Sequence, residues 1–133
     1  MPETETPTRG ESGYLVRPFE SGDREPFLDL YETVWGERPQ PEWFSWRYQN
    51  TPYLTHVPVF VAESADGDVV GARPLVPFRM RADGDEPLVG LHPSNTMVPP
   101  DHRRNGLFSR MSAACTEFYR EREPRFYFNF PNP

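Results

Sequence analysis

The 133-residue chain contains no lysine and no isoleucine, one cysteine and three histidines. A single cysteine, Cys115, excludes an internal disulfide and fits a reducing interior. No apolar run approaches the roughly 20 residues that cross a bilayer, so no membrane is expected, and the acidic start is not expected to act as a signal peptide. All 14 basic residues are arginine, against 20 Asp and Glu, which gives a net charge of −6. With a pI near 5.0 no broad basic face is available, which argues against nucleic-acid binding. No metal site is expected. The arginine bias fits a GC-rich genome, and the acidity fits a halophile-like, high-salt cytoplasm. Stability unaffected by removing salt would refute that reading of habitat.

What is present is aromatic. Hydrophobic residues are 36% of the chain and aromatics 14%, so the core of this one domain must lean on Phe, Tyr and Trp. Residues 1–13 are polar and are expected to form a disordered tail, followed by one domain over 14–133. Tyr14 to Phe19 reads as a strand. Ser21 or Asp23 caps a predicted helix that runs to about Trp35 and stops at Gly36. Pro41 to Gln49 reads as a second helix, carrying Trp43, Phe44 and Trp46 either into the core or along a pocket. Val57 to Ser64 is a predicted strand and Asp66-Gly67 a hairpin turn. Val69 to Ala82 is a long strand interrupted by Pro74 and Pro77; Asp83 to Asp85 turns the chain, and Leu88 to Val98 is the next strand.

Residues 96–108 carry the chemistry. An apolar strand end, Met97-Val98, meets Pro99-Pro100, and Arg103-Arg104-Asn105-Gly106 then opens a helix. Leu107, Phe108, Met111, Ala114, Cys115, Phe118 and Tyr119 recur on that helix as one apolar stripe. Its start offers unpaired amides and a positive dipole end, and Gly106 admits a ligand that a Cβ would block. Such a turn fits a phosphate or pyrophosphate. Pro124 cannot continue the helix, and Arg125 to Phe130 follows as a strand.

The turn resembles the acetyl-CoA pyrophosphate loop of the GNAT superfamily of N-acyltransferases, whose motif is Arg/Gln-x-x-Gly-x-Gly/Ala. Arg103 to Phe108 follows Val98 at the family's interval; Phe108 departs from the small residue usual there. Val98-x-Pro100-x-x-Arg103-x-x-Gly106-x-Phe108-Ser109 and Phe130-Pro131-Asn132 resemble one branch of that family. The resemblance implies an α+β, three-layer fold with a mixed, mostly antiparallel sheet. The element order would be β-α-α-β-β-β-α-β, with the fourth and fifth strands splayed.

The same resemblance implies acetyl-CoA as co-substrate and an N-acetyltransferase that moves an acetyl group, by direct attack, to a primary amine of a small molecule or of a protein or peptide. Backbone groups of Met97 and Val98 would pair with pantetheine. Amides of Arg104, Asn105, Gly106, Leu107 and Phe108 would hold the pyrophosphate, and Arg103 or Arg104 would add charge. An N–H near Val98 would stabilise the oxyanion. His92, six residues before Val98, stands where some branches place a catalytic carboxylate and is the candidate base; packing or surface roles are its alternative. His102 reads as a solvated neighbour, Asp101 as a turn-former and Cys115 as a core residue. Asn132 resembles an asparagine that meets the cofactor, or is part of an unstructured end. Family domains continue with a helix and two further strands, so this chain is expected to lack them. The last strand would then be an open edge, suited to a homodimer or a partner chain. Two function classes follow: an acetyltransferase, or a catalytically silent acyl-CoA-binding or assembly module.

Overall fold

The computed structural model describes residues 13–81, 86–122, 124 and 126–127. The expected tail, the Asp83 to Asp85 turn and Asn132 lie outside the described residues. Five strands form one sheet in the order β1-β2-β3-β4-β5: β1 (Leu15–Pro18), β2 (Val59–Glu63), β3 (Val69–Met80), β4 (Leu88–Pro93) and β5 (Phe126–Tyr127). The first four pair antiparallel and β5 joins β4 parallel. Helices α1 (Arg24–Trp35) and α2 (Pro41–Phe44) cover one face and α3 (Leu107–Phe118) the other. This is the expected order and three-layer, mostly antiparallel arrangement.

Alternation on β2 divides the core. Val59 and Val61 join Phe27, Leu28, Phe44 and Tyr48 beneath α1 and α2. Phe60 and Ala62 face α3, where Leu107, Met111, Cys115 and Tyr119 supply the buried stripe. Phe44 is fully buried and Trp43 packs on that core, whereas Trp46 is 72% exposed, so the aromatic cluster is divided between two roles. Gly36 ends α1 in the left-handed conformation, with its N–H on Glu32 O. Asp23 precedes α1 without capping it through its side chain, because that carboxylate is engaged by Arg17. The predicted second helix is a single α turn followed by a wide turn over Ser45–Gln49, closed by Asn50 N–H to Ser45 O at 2.8 Å.

Two strand expectations are corrected. β3 runs through Pro74 and Pro77 without interruption. Pro74 O accepts from Ser94 N, so its missing N–H also faces β4, where the ladder is locally broken. Pro77 lies beyond the last β2–β3 pair, Val59 with Pro74. Nor does β4 continue to Val98: it ends at Pro93, and the chain rejoins β3 only at Met97.

Candidate active site

The rejoining builds a bulge. Between the pairs Leu75–Pro93 and Ala72–Met97, β3 advances three residues and β4 four. Asn95 absorbs the extra residue at φ 58°, the left-handed conformation that Asn tolerates better than most residues. Its side chain lies near the buried Tyr48, whose hydroxyl accepts from Arg47 Nε at 3.2 Å. Arg47 Nη2 reaches Ser94 Oγ at 3.4 Å, and its guanidinium lies over the Trp43 and Tyr48 rings. Burial raises the Tyr48 pKa, with Arg47 opposing, so the phenol stays protonated.

Met97 N–H and C=O are both spent on Ala72, at 2.8 and 3.0 Å. The Met97 N–H is thereby taken, and its carbonyl keeps one lone pair. Because backbone groups alternate along an extended segment, Thr96 and Val98 face away from β3 instead. Their N–H groups have no acceptor among the described residues. The Val98 carbonyl accepts from Arg103 Nε at 2.8 Å, which folds Arg103 back over the turn. β5 pairs β4 only at Gly90–Phe126 and Leu91–Tyr127 among the described residues, and whether the strands splay beyond is outside them.

A turn over Pro100–His102 then leads into the loop. Arg104 at φ 68° and Gly106 at φ 71° are both left-handed, and the first amide engaged in α3 is Arg110, donating to Gly106 O at 2.9 Å. The amides of Arg104, Asn105, Gly106, Leu107, Phe108 and Ser109 have no acceptor among the described residues. A Cβ on Gly106 would meet nothing of the protein within 4 Å, so the space before these amides is open. Asn105 Nδ2 ties the loop to itself through the carbonyls of His102 (3.0 Å) and Arg103 (3.3 Å). Arg104 is exposed, with no ion pair among the described residues.

Phe108, counted on the apolar stripe, is 57% exposed. Its ring lies 5.1 Å from the guanidinium of Arg73, a residue only 6% exposed that also reaches Thr96 Oγ1 at 3.1 Å. An aromatic face over a buried cation accounts for its place outside the core. Cys115 is buried; burial pushes its thiol up to about 12 against the opposing pull of Arg73, so it is a core residue and no nucleophile. His92 pairs with Val76 and sets its ring 6.2 Å from Phe78, on the α1–α2 side of the sheet. It is not brought against the amide row, which lies at the opposite end of the bulge. His102 is no solvated bystander: its Nδ1 is 2.9 Å from the Tyr14 hydroxyl. Tyr14, Arg47, Asn95 and Thr96 are the site neighbours that sequence reasoning missed. Asn95, between a strand end and a threonine, was the one local signal for a left-handed residue.

A mostly antiparallel sheet whose fourth strand runs into a bulge, followed by a basic turn and a helix with open amides, defines a mixed α+β domain. The sequence model of the acetyltransferase (GNAT) domain matches residues 15–132. The chain belongs to the GNAT acetyltransferase family. Similar solved structures include the aminoglycoside acetyltransferase AAC(6')-Iy with a CoA bisubstrate analogue (17% identity, TM-score 0.65, covering 90% of this chain and 80% of that one). AAC(6')-Ih from Acinetobacter baumannii is 12% identical at TM-score 0.63, covering 90% and 80%. The glucosamine N-acetyltransferase region of a fungal multi-domain β-N-acetylglucosaminidase is 14% identical at TM-score 0.67, covering 92% of this chain and 14% of that one. Among curated proteins no relative matches. No described helix is long and apolar enough to cross a membrane, and no described group of three or more His, Cys, Asp or Glu could hold a metal ion.

Proposed function

We propose that this domain transfers the acetyl group of acetyl-CoA to a primary amine of a small molecule, with amino sugars the first acceptors to try. The observation that carries the reading is the row of six unengaged amides from Arg104 to Ser109, directly after the bulge. Convergent N–H groups at a helix start take a diphosphate, and Arg104 adds a mobile positive charge. The similar structures of an aminoglycoside acetyltransferase with a CoA bisubstrate analogue and of a glucosamine N-acetyltransferase region support the ligand class.

The outward backbone of Thr96 and Val98 pairs with the pantetheine arm as an added strand would. This brings the thioester to the bulge, where the Val98 N–H donates to its carbonyl oxygen and to the oxyanion that develops. The amine nitrogen attacks the carbonyl carbon, the C–S bond breaks, and CoA departs as thiolate. The amine's proton goes to His92, directly or through water, and a proton is returned to the thiolate. Positioning and oxyanion stabilisation supply most of the acceleration.

Thiol release from acetyl-CoA, followed with a thiol reagent over a panel of amines, tests this. Amine-dependent release together with thermal protection by CoA is expected. CoA protection with no release by any amine would favour a silent acyl-CoA-binding module. No protection would remove the reading altogether.

A further inference from the structure

Tyr14 stands one residue before β1 and 88 positions from His102 in sequence, yet it touches the loop and the helix that follows it. Its hydroxyl lies 2.9 Å from His102 Nδ1 and accepts from Asn105 Nδ2 at 3.3 Å. With the oxygen accepting from Asn105, the O–H is free to donate to the imidazole, which then carries its own hydrogen on Nε2. The two rings meet edge to face at 5.8 Å. The Tyr14 carbonyl accepts from Arg110 Nη2 at 3.2 Å, and Arg110 sits in the first turn of α3. The ring packs against the cluster that contains Leu107 and Met111. One residue thus grips His102 and Asn105 through its hydroxyl and α3 through its carbonyl.

These anchors bracket the amide row. His102 precedes it, Asn105 lies within it and Arg110 is the first amide beyond it. Arg104, a non-glycine residue, holds a left-handed conformation between them, and such a residue keeps its shape only if its surroundings over-determine it. Among the described residues, the loop's own side chains contribute the Asn105 contacts to His102 O and Arg103 O and the Arg103 contact to Val98 O. The structure assigns to Tyr14 the part of a positioning residue, which sets the aim of the diphosphate-binding amides from the edge strand of the sheet. This inference rests on the acetyl-CoA reading of the site. Tyr14 meets no reacting atom, so its effect is confined to the part of the cofactor that contains the diphosphate.

The test compares two thioester donors, acetyl-CoA and acetyl-pantetheine, which lacks the diphosphate and nucleotide. For Tyr14→Phe, the affinity for acetyl-CoA by calorimetry, and its KM where turnover is measurable, should weaken about three- to ten-fold, the range one or two neutral hydrogen bonds provide. The kcat and the affinity for acetyl-pantetheine should stay at wild-type values. His102→Leu should weaken acetyl-CoA binding similarly, and the double variant should be weaker by less than the product of the two losses, because both remove one network. Unchanged acetyl-CoA affinity in Tyr14→Phe overturns the inference, as do equal losses for both donors or fully multiplicative losses in the double variant. Should Tyr14→Phe fail to fold, His102→Leu alone carries the donor comparison. A wild-type protein that binds no CoA would sink the acetyl-CoA reading itself. Wild-type binding with an indifferent Tyr14→Phe sinks only the role of Tyr14.

Discussion

Ala72 and Met97 exchange both backbone hydrogen bonds, at 3.0 and 2.8 Å, although β4 has already ended four residues before Met97. That single pair turns a strand end into a bulge and decides which backbone groups are left for a ligand. Met97 faces β3; Thr96 and Val98 are turned outward.

The bulge depends on Asn95 at φ 58°. A β-branched residue there would pay the left-handed penalty of about 1–2 kcal/mol that Asn largely escapes. Asn95→Val should therefore lower the Tm clearly more than Asn95→Gly, which keeps the conformation. Thermal unfolding of the two variants settles it; equal losses would show that the backbone conformation at 95 is not what matters.

Gly106 and Gly36 provide a matched pair. Both are left-handed, at φ 71° and 93°, and a Cβ at either would meet nothing of the protein within 4 Å. Alanine should cost each about 1 kcal/mol of stability through backbone strain alone. Only at Gly106 would the new methyl stand before the open amides, so only Gly106→Ala should weaken CoA binding. Calorimetric titration of both variants with CoA tests this, and an equal effect of Gly36→Ala would contradict it.

How much of this could be read from the residues follows from the range over which each feature is encoded. The Asp66-Gly67 turn, the stop at Gly36 and the stripe of α3 are written within a few residues, and the structure keeps them. Phe108 obeyed the helical period yet lies outside, because a buried Arg73 from another strand takes its face. Periodicity says which residues share a side, not what arrives to meet them. The bulge was illegible for the same reason: it exists only in register against β3. The Tyr14 contacts bridge the whole domain, beyond the reach of any local signal.

His92 is the group whose role the geometry leaves most exposed to test. If it accepts the amine's proton, His92→Gln should reduce kcat about 100-fold or more while thermal protection by CoA is retained. Its ring borders Phe78 on the α1–α2 face and makes no contact with the amide row, so CoA binding has no reason to change. Retained kcat would transfer the proton to a water chain.

His56 gives the fold a pH dependence of known sign. Its Nε2 lies 2.6 Å from the Tyr119 hydroxyl, and burial, with Arg122 nearby, lowers its pKa below the ordinary 6.5. Burial raises the Tyr119 pKa, so the phenol keeps its proton and donates it to the neutral ring. In the unfolded chain His56 takes up a proton near its ordinary value; in the native state it does so only at lower pH. More protons are bound by the unfolded state in that window, so stability falls as pH drops through it and is untouched above it. The Tm difference between about pH 7.5 and about pH 5.5 should be smaller in His56→Gln, whose amide oxygen can still accept from Tyr119. An unchanged difference would place the acid sensitivity elsewhere.

Arg17 binds the first strand to the rest of the sheet and to the start of α1. It donates to both oxygens of Asp23, at 2.7 and 3.1 Å, and through Nε to Glu63 of β2 at 3.0 Å. Asp23 Oδ2 also accepts the Glu20 amide at 2.7 Å, and Arg17 and Asp23 are 9% and 6% exposed. Its carboxylate partners, Asp23 foremost, raise the guanidinium's pKa, so Arg17 stays charged. Removing Arg17 alone leaves the Asp23 carboxylate desolvated without its cation, a loss of about 3–5 kcal/mol; removing both takes that carboxylate away as well, leaving only the smaller losses at Glu63 and the Glu20 amide. Arg17→Leu should therefore be more destabilising than the Arg17→Leu, Asp23→Leu double variant, as read by denaturant unfolding. Because β1 also carries Tyr14 into the loop, the single variant should loosen CoA binding at temperatures well below its Tm. A single variant as stable as the double would mean that water reaches Asp23 and that β1 is held by its ladder alone.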